Sequence, residues 1–101
     1  MAIRRDADEG VLMTEARLQR RIQNAIAERG GKVYKLHGNV FGVAGQPDLI
    51  GSLNGVPFVL EVKLHGREAT PKQQHELDGW RAQGWRAAVV TTVKEALEAI
   101  T

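Results

Sequence analysis

Cysteine is absent from this 101-residue sequence, which excludes both a disulfide framework and a thiolate metal site. Long apolar runs are absent as well. The longest, residues 56–60, contains a proline and falls far short of the roughly 20 residues that a membrane helix needs. The first ten residues are charged and lack the apolar core of a secretory signal. A cytoplasmic protein with no membrane partner is therefore expected.

A strong excess of charge of one sign is also lacking, since 14 basic and 12 acidic residues give a formal net charge of +2. This balance is compatible with a polyanionic partner but does not require one. Hydrophobic residues make up 43% and charged residues 26%, as in ordinary folded domains. One domain over residues 1–101 is expected. Residues 1–12 are predicted to be a flexible arm, because their charges follow no periodicity.

The most informative pattern is the Asn54-Gly55 pair between two apolar runs, which predicts a tight β-hairpin. Counting outward from that turn brings Asp48 opposite Glu61 on one face, where carboxylates only about 5 Å apart repel. A cation between them would offset this repulsion. Lys63 lies two residues beyond Glu61, so its side chain leaves the strand on the same face. These side chains predict a metal site with a cationic assistant.

Periodicity and capping signals predict the element order α-β-β-β-α-β-α. The expected elements are a helix capped by Thr14 and ending near residue 29, a strand 32–37, hairpin arms 47–53 and 56–64, a helix 71–83, a strand 85–91 and a last helix after Thr92. The crossover through the second helix predicts a final strand parallel to one of its neighbours. A loop over 38–46 contains Gly38, Gly42 and Gly45, and is expected to permit a bend beside the predicted metal site.

Each candidate residue also has a purely structural interpretation. Asp48 and Glu61 could be an acidic pair on a solvated strand face, and Glu15 could be a first-turn acid favoured by the helix dipole. Gln73 forms a capping box with Thr70, and its spacing also turns it inward, where a second role beside the predicted metal site is expected.

The segments Gly45-Gln46-Pro47-Asp48 and Glu61-Val62-Lys63 resemble the motif of the PD-(D/E)XK nuclease superfamily. The predicted order over residues 14–91 is similar to that superfamily's αβββαβ core. Within the superfamily the chain most resembles a stand-alone VRR-NUC domain, which carries a glutamate on the first helix, here Glu15, and a Ser/Thr-x-x-Gln start to the next, here ending at Gln73. Archaeal-type Holliday junction resolvases share much of this plan. The resemblance implies an α/β fold with a mixed central sheet flanked by helices.

The same resemblance implies metal-dependent hydrolysis of phosphodiester bonds. Asp48 and Glu61 would hold Mg²⁺, or Mn²⁺ in its place, with the Val62 carbonyl and Glu15 as further ligands, the latter directly or through water. Lys63 would orient or help to deprotonate the attacking water. A metal-bound water has a lowered pKa, so no histidine or serine nucleophile is required. The implied product ends are a 5′-phosphate and a 3′-hydroxyl.

The expected substrate is DNA, in particular branched or Holliday junction-like DNA, and the expected assembly is a homodimer whose two sites suit symmetric cleavage. A nicking or repair nuclease without junction preference is one alternative, and a non-catalytic nucleic-acid-binding module on the same scaffold is another. A compact nuclease of this kind would suit a phage or mobile-element genome.

Several other polar and aromatic residues receive simpler expectations. Phosphate contact is a hypothesis for the residues that flank the predicted site, which are His65, Arg67 and Lys72. A basic rim, or merely exposed charge, is expected of Arg4, Arg5, Arg17, Arg20 and Arg21. The histidines show no metal-ligand spacing. Trp80 and Trp85 are expected in the core rather than as base-stacking platforms.

Overall fold

A mixed four-stranded sheet with helices on both faces forms the fold in the computed structural model, which describes residues 12–37 and 43–101. The elements are α1 (Glu15–Glu28), β1 (Lys32–Lys35), β2 (Leu49–Leu53), β3 (Val56–Val62), α2 (Pro71–Ala82), β4 (Arg86–Val90) and α3 (Val93–Ile100). The strand order is β1-β2-β3-β4, antiparallel between the first three strands and parallel between β3 and β4. The predicted fold class, element order and parallel crossover are confirmed. Residues 1–11 of the predicted arm, together with Gly38 and Gly42, lie outside the described residues.

The predicted hairpin is present, with a two-residue turn between β2 and β3. Asn54 and Gly55 adopt φ angles of 52° and 79°, the positive values that a primed turn requires. Leu53 pairs with Val56, and the ladder continues outward to the pair Leu49 and Leu60. The register expected from the turn is therefore correct throughout the regular part of the hairpin.

Both strands of the hairpin are shorter than the sequence predicts. β2 begins at Leu49 instead of residue 47, and β3 ends at Val62 instead of residue 64. Pro47 has no N–H to donate to a ladder. The Asp48 N–H donates to the Leu60 carbonyl at 3.0 Å, one position out of the preceding register, as at a β-bulge. Regular pairing stops where the candidate site begins.

β1, predicted to reach residue 37, stops at Lys35, although one further bond joins Leu36 N–H to the Asp48 carbonyl at 2.7 Å.

The core consists of two apolar layers, one on each face of the sheet. The layer beneath α1 and α3 comprises Leu18, Ile22, Ile26, Leu49, Leu53, Phe58, Leu60, Val62, Val90, Ala96 and Ile100. The layer beneath α2 is smaller and comprises Val59, Leu77 and Ala87, with Ile50, Trp80, Trp85 and Val89 packed against it. Alternation along β3 puts residues 58, 60 and 62 in the first layer and leaves 59 and 61 facing α2.

The two tryptophans, expected in the core, are half-buried and pack against the smaller apolar layer. The Trp80 and Trp85 rings meet edge to face with centroids 4.6 Å apart, a favourable arrangement for aromatic pairs. They hold the C-terminal end of α2 close to the start of β4.

The loop before β2 packs against the backbone of the first turn of α2, and Gly45 makes this contact possible. Gly45 has a φ of +80°, and a Cβ atom there would lie 2.6 Å from both the carbonyl carbon and the oxygen of Lys72. It would also lie 2.9 Å from the Gln73 nitrogen. Gly45 therefore allows the loop that leads to Asp48 to dock on the start of α2.

No helix in the described ranges is long and apolar enough to cross a membrane.

Replacement of Gly45 by alanine is expected to lower the free energy of unfolding by roughly 2 kcal/mol or more, because a strained φ and a backbone clash act together. Urea unfolding would measure the change. Gly66→Ala isolates the cost of φ, since Gly66 has a φ of +86° and open space around its Cβ position. Gly79→Ala, within α2 and also in open space, should be neutral or stabilising. Equal losses for Gly45→Ala and Gly66→Ala would show that the close packing on α2 contributes nothing.

Candidate functional site

Asp48 and Glu61 come together at the end of the β2–β3 hairpin. Asp48 Oδ2 accepts a hydrogen bond of 2.7 Å from the Val62 backbone N–H, which fixes the carboxyl group across the strand end. The carboxyl groups of Asp48 and Glu61 lie close enough for the charge of Asp48 to raise the pKa of Glu61. The two carboxyl groups are thus close together, but the predicted direct pairing of Asp48 with Glu61 is wrong, because the ladder ends at Leu49 and Leu60 and Asp48 bonds one position out of register.

Glu61 is almost fully buried, with 2% of its surface exposed. Its Oε2 accepts a hydrogen bond of 3.0 Å from Gln73 Nε2 and lies 3.8 Å from Lys63 Nζ. Its other oxygen, Oε1, is buried and has no hydrogen-bond partner. A buried carboxyl oxygen without a partner is costly unless a proton or a cation occupies that position.

The pKa of Glu61 is raised to about 8 from its ordinary value of 4.5. Burial is the largest cause, and the charge and close approach of the Asp48 carboxyl group add to it. The charge of Glu15 acts in the same direction, whereas Lys63 lowers the pKa. The surroundings of Glu61 thus contain more negative than positive charge, and a bound cation would reverse this imbalance.

Gln73 connects α2 to Glu61 through both ends of one amide group. The side-chain Oε1 of Gln73 accepts a hydrogen bond from the Thr70 backbone N–H at 2.8 Å. The backbone N–H of Gln73 donates to Thr70 Oγ1 at 3.2 Å, which completes the expected capping box. Its Nε2 donates to Glu61. Because the cap fixes the oxygen end of the amide, the nitrogen end is held in position toward the carboxyl group.

Lys63 contributes a partly shielded positive charge. Its side chain is 13% exposed, and it leaves β3 on the same side as Glu61. The distance of 3.8 Å makes this contact an ion pair rather than a hydrogen bond. The ammonium group therefore keeps its hydrogen-bond donors for other partners.

Glu15 is the first residue of α1 and lies near enough to Glu61 for their charges to repel. Within residues 12–37 and 43–101, however, no three His, Asp or Glu side chains form a cluster that could hold a metal ion. Glu15 is therefore not close enough to Asp48 and Glu61 to form a three-residue metal cluster with them. Of its two predicted roles, coordination through water is the one consistent with this geometry. The backbone N–H of Val62 donates a hydrogen bond to Asp48. The predicted coordination of a metal by the Val62 carbonyl oxygen stays a prediction.

The flanking basic residues are exposed. His65 lines a cavity of about 600 Å³ with Leu64 and Lys94, while Arg67 and Lys72 face solvent. Phosphate contact by these residues stays a prediction. Of the predicted basic rim, Arg20 and Arg21 are exposed, Arg17 is half-buried, and Arg4 and Arg5 lie outside the described residues.

Sequence reasoning missed one buried polar residue, Gln19 on α1. Gln19 is 6% exposed and its Oε1 is buried without a partner. Its position in the sequence could have indicated this burial. Gln19 lies four residues after Glu15 and directly after Leu18, the first residue of the apolar stripe.

Replacement of Glu61 by glutamine is expected to increase the free energy of unfolding of the metal-free protein at pH 8.5 by an amount on the order of 2 kcal/mol. The increase should be smaller near pH 5. Between 4.5 and about 8, the folded protein binds a proton at Glu61 that the unfolded chain has lost, so stability falls as the pH rises through this window. Urea unfolding in a chelator at both pH values would measure the change. Glu98→Gln, on the exposed side of α3, is the control. Identical pH dependence in wild type and Glu61→Gln would contradict the raised pKa.

Two solved structures described as VRR_NUC domains are similar to this chain. The first, a "VRR_NUC domain", is 32% identical and superposes with a TM-score of 0.72, covering 85% of this chain and 92% of that chain. The second, a "VRR_NUC domain protein", is 22% identical with a TM-score of 0.68, covering 87% of this chain and 85% of that chain, and it supports the fold alone. No protein-family model and no curated protein matches the chain. Identity and coverage at the level of the first structure show that the chain belongs to the VRR-NUC domain family of the PD-(D/E)XK superfamily and is a nuclease-type domain.

Proposed function

We propose that this domain is a divalent-metal-dependent endonuclease that hydrolyses phosphodiester bonds in DNA, with a preference for branched substrates. The observation that carries the proposal is the Asp48–Glu61 carboxyl pair, in which Glu61 is buried, with Lys63 beside it and one Glu61 oxygen left without a partner. A nuclease-type domain of this family needs a group that activates water and stabilises a phosphate, and this is the described site that combines convergent acids with a shielded cation.

The residues present fit Mg²⁺ or Mn²⁺. Hard divalent cations prefer carboxylate oxygens and retain several waters, so two protein carboxylates can suffice when substrate phosphate and water supply the rest. Asp48 and Glu61 would hold the ion, and Glu15 would reach it through water. The partnerless Oε1 of Glu61 is the atom whose burial a cation would make favourable.

When bound, such a cation supplies a water of lowered pKa and polarises the scissile phosphate. The chain's own residues then perform the remaining tasks. Gln73 holds the Glu61 carboxyl group in one orientation through its capped amide, and the Val62 N–H does the same for Asp48. Lys63 is placed to orient the attacking water and to offset the negative charge that develops on the phosphate oxygens. The expected products carry a 5′-phosphate and a 3′-hydroxyl.

Preference for branched DNA and a homodimeric assembly extend the proposal. Their support is the likeness of the sequence plan to junction resolvases and the fact that two symmetric sites would cut a symmetric junction at paired positions. A nicking nuclease without junction preference would use the same residues and chemistry.

Replacement of Lys63 by alanine is expected to slow cleavage at least about 100-fold, since it removes a charge that acts on the transition state. Binding of Mn²⁺ should persist, because the lysine is a neighbour of the carboxylates and not a ligand. Single-turnover cleavage of labelled DNA and calorimetric titration with Mn²⁺ would measure both effects. Lys94→Ala, at an exposed position of α3, is the control. Wild-type cleavage rates in Lys63→Ala would remove the proposed mechanism.

Asp48→Asn is expected to weaken Mn²⁺ binding more than about 100-fold and to abolish cleavage, since loss of a direct ligand exceeds the usual effect of an outer-shell change. Asparagine keeps an oxygen that can accept from the Val62 N–H, so the fold should survive. Asp78→Asn, an exposed change on α2 that affects only the ion pair with Arg81, is the matched control. Undiminished Mn²⁺ affinity in Asp48→Asn would exclude the carboxyl pair as the metal site.

A panel of labelled four-way junction, flap, duplex and single-stranded DNA tests the substrate preference. The four-way junction is expected to be cut fastest with Mg²⁺ or Mn²⁺, and light scattering on the same preparation should give twice the chain mass. Equal cleavage of every substrate by a monomer would replace the junction preference with the nicking activity.

A further inference from the structure

Two buried acceptor oxygens on different elements lack hydrogen-bond partners. Among the described residues, the buried side-chain atoms without a partner are Gln19 Oε1, Gln46 Nε2 and Glu61 Oε1. The Gln19 oxygen can only accept a hydrogen bond or bind a cation, and the same holds for the Glu61 oxygen when the carboxyl group is ionised. Buried polar atoms of native proteins are normally satisfied, so a partner of donor character is expected at both positions.

Helix geometry places Gln19 on the same side of α1 as Glu15. Glu15 lies one helical turn before it, and residues four apart on a helix are neighbours with Cβ atoms about 5–6 Å apart. Side chains on a helix point back toward its N-terminus, so the amide of Gln19 extends toward the level of Glu15. The charge of Glu15 in turn acts on Glu61. The same face continues into the core through Ile22, so Gln19 is a buried polar position between Glu15 and the apolar core.

The nearby donors of the protein do not bond to either of these oxygens. Gln73 Nε2 donates to the other oxygen of Glu61, and the Lys63 ammonium group lies 3.8 Å from that same oxygen. The buried Gln46 Nε2 has no partner at all. Mg²⁺ and Mn²⁺ keep several coordinated waters in protein sites, and each such water is a strong hydrogen-bond donor. One hydrated cation would therefore supply partners to both buried oxygens at once.

We propose that Gln19 is a positioning residue of the metal centre, whose amide oxygen accepts a hydrogen bond from a water on the cation held by Asp48 and Glu61. This inference rests on the proposed function, which supplies the cation. A neutral amide suits the position, because it provides an oxygen without adding to the negative charge of Glu15, Asp48 and Glu61. Outer-shell contacts of this kind typically change metal affinity 10–100-fold when removed.

The test compares Mn²⁺ affinity and melting temperature in wild type, Gln19→Leu and Gln19→Glu. Leucine keeps most of the volume and removes the oxygen, so Mn²⁺ affinity should fall at least about 10-fold. The melting temperature of the metal-free protein should stay the same or rise, because a partnerless buried oxygen has been removed. Glutamate restores an acceptor oxygen and should restore affinity. Gln74→Leu, at an exposed position of α2, is the matched control for affinity.

Unchanged Mn²⁺ affinity in Gln19→Leu, or an equal loss in Gln19→Leu and Gln19→Glu, would overturn the inference. A residue that only supports packing would instead lower the melting temperature in Gln19→Leu and leave affinity as it was. If wild type binds Mn²⁺ and Gln19→Leu binds it equally, this inference fails alone. If wild type binds no Mn²⁺, the proposed function fails and this inference with it.

Discussion

The burial of the Glu61 carboxyl group against Asp48 is the constraint on which the rest of the site depends. Two acids side by side in an apolar sheet oppose folding unless a proton or a cation lies with them. Their shared environment accordingly raises the pKa of Glu61 to about 8. The surrounding contacts do not offset this cost fully. One oxygen of Glu61 accepts a hydrogen bond from Gln73 and lies in an ion pair with Lys63, while the other has no partner. The arrangement is the one expected of a site that is completed by a ligand.

The fold holds the two acids together from three directions. The hairpin turn sets the register, the Val62 N–H fixes Asp48, and Gln73 fixes Glu61. Gly45 ties the last two together, since its close approach to Lys72 docks the Asp48 loop on the same helix start that presents Gln73. A change at any of these points is therefore felt at the carboxyl pair, even where the residue itself touches no substrate.

The convergence of Asp48 and Glu61 could be predicted from sequence because its cause is local. The Asn54-Gly55 turn has one favoured geometry, and the register then follows as far as the Leu49–Leu60 pair, one residue short of the two acids. The Thr70-Gln73 capping box is equally local, and it is present. The strand ends were predicted too long, because the end of regular pairing depends on a β-bulge-like bond and on the Asp48 side chain replacing a ladder partner. The docking of Gly45 on α2 and the burial of Gln19 arise from contacts between segments distant in sequence, which no local pattern reports.

The VRR-NUC family membership, the raised pKa of Glu61 and its partnerless oxygen all support the proposal that a hard divalent cation binds between Asp48 and Glu61. The most direct measurement is anomalous diffraction at the manganese edge from crystals of the protein grown with Mn²⁺. The account predicts an anomalous peak within coordination distance of one oxygen from each of the two carboxyl groups. A well-ordered site without such a peak, or with manganese bound only elsewhere on the chain, would contradict it.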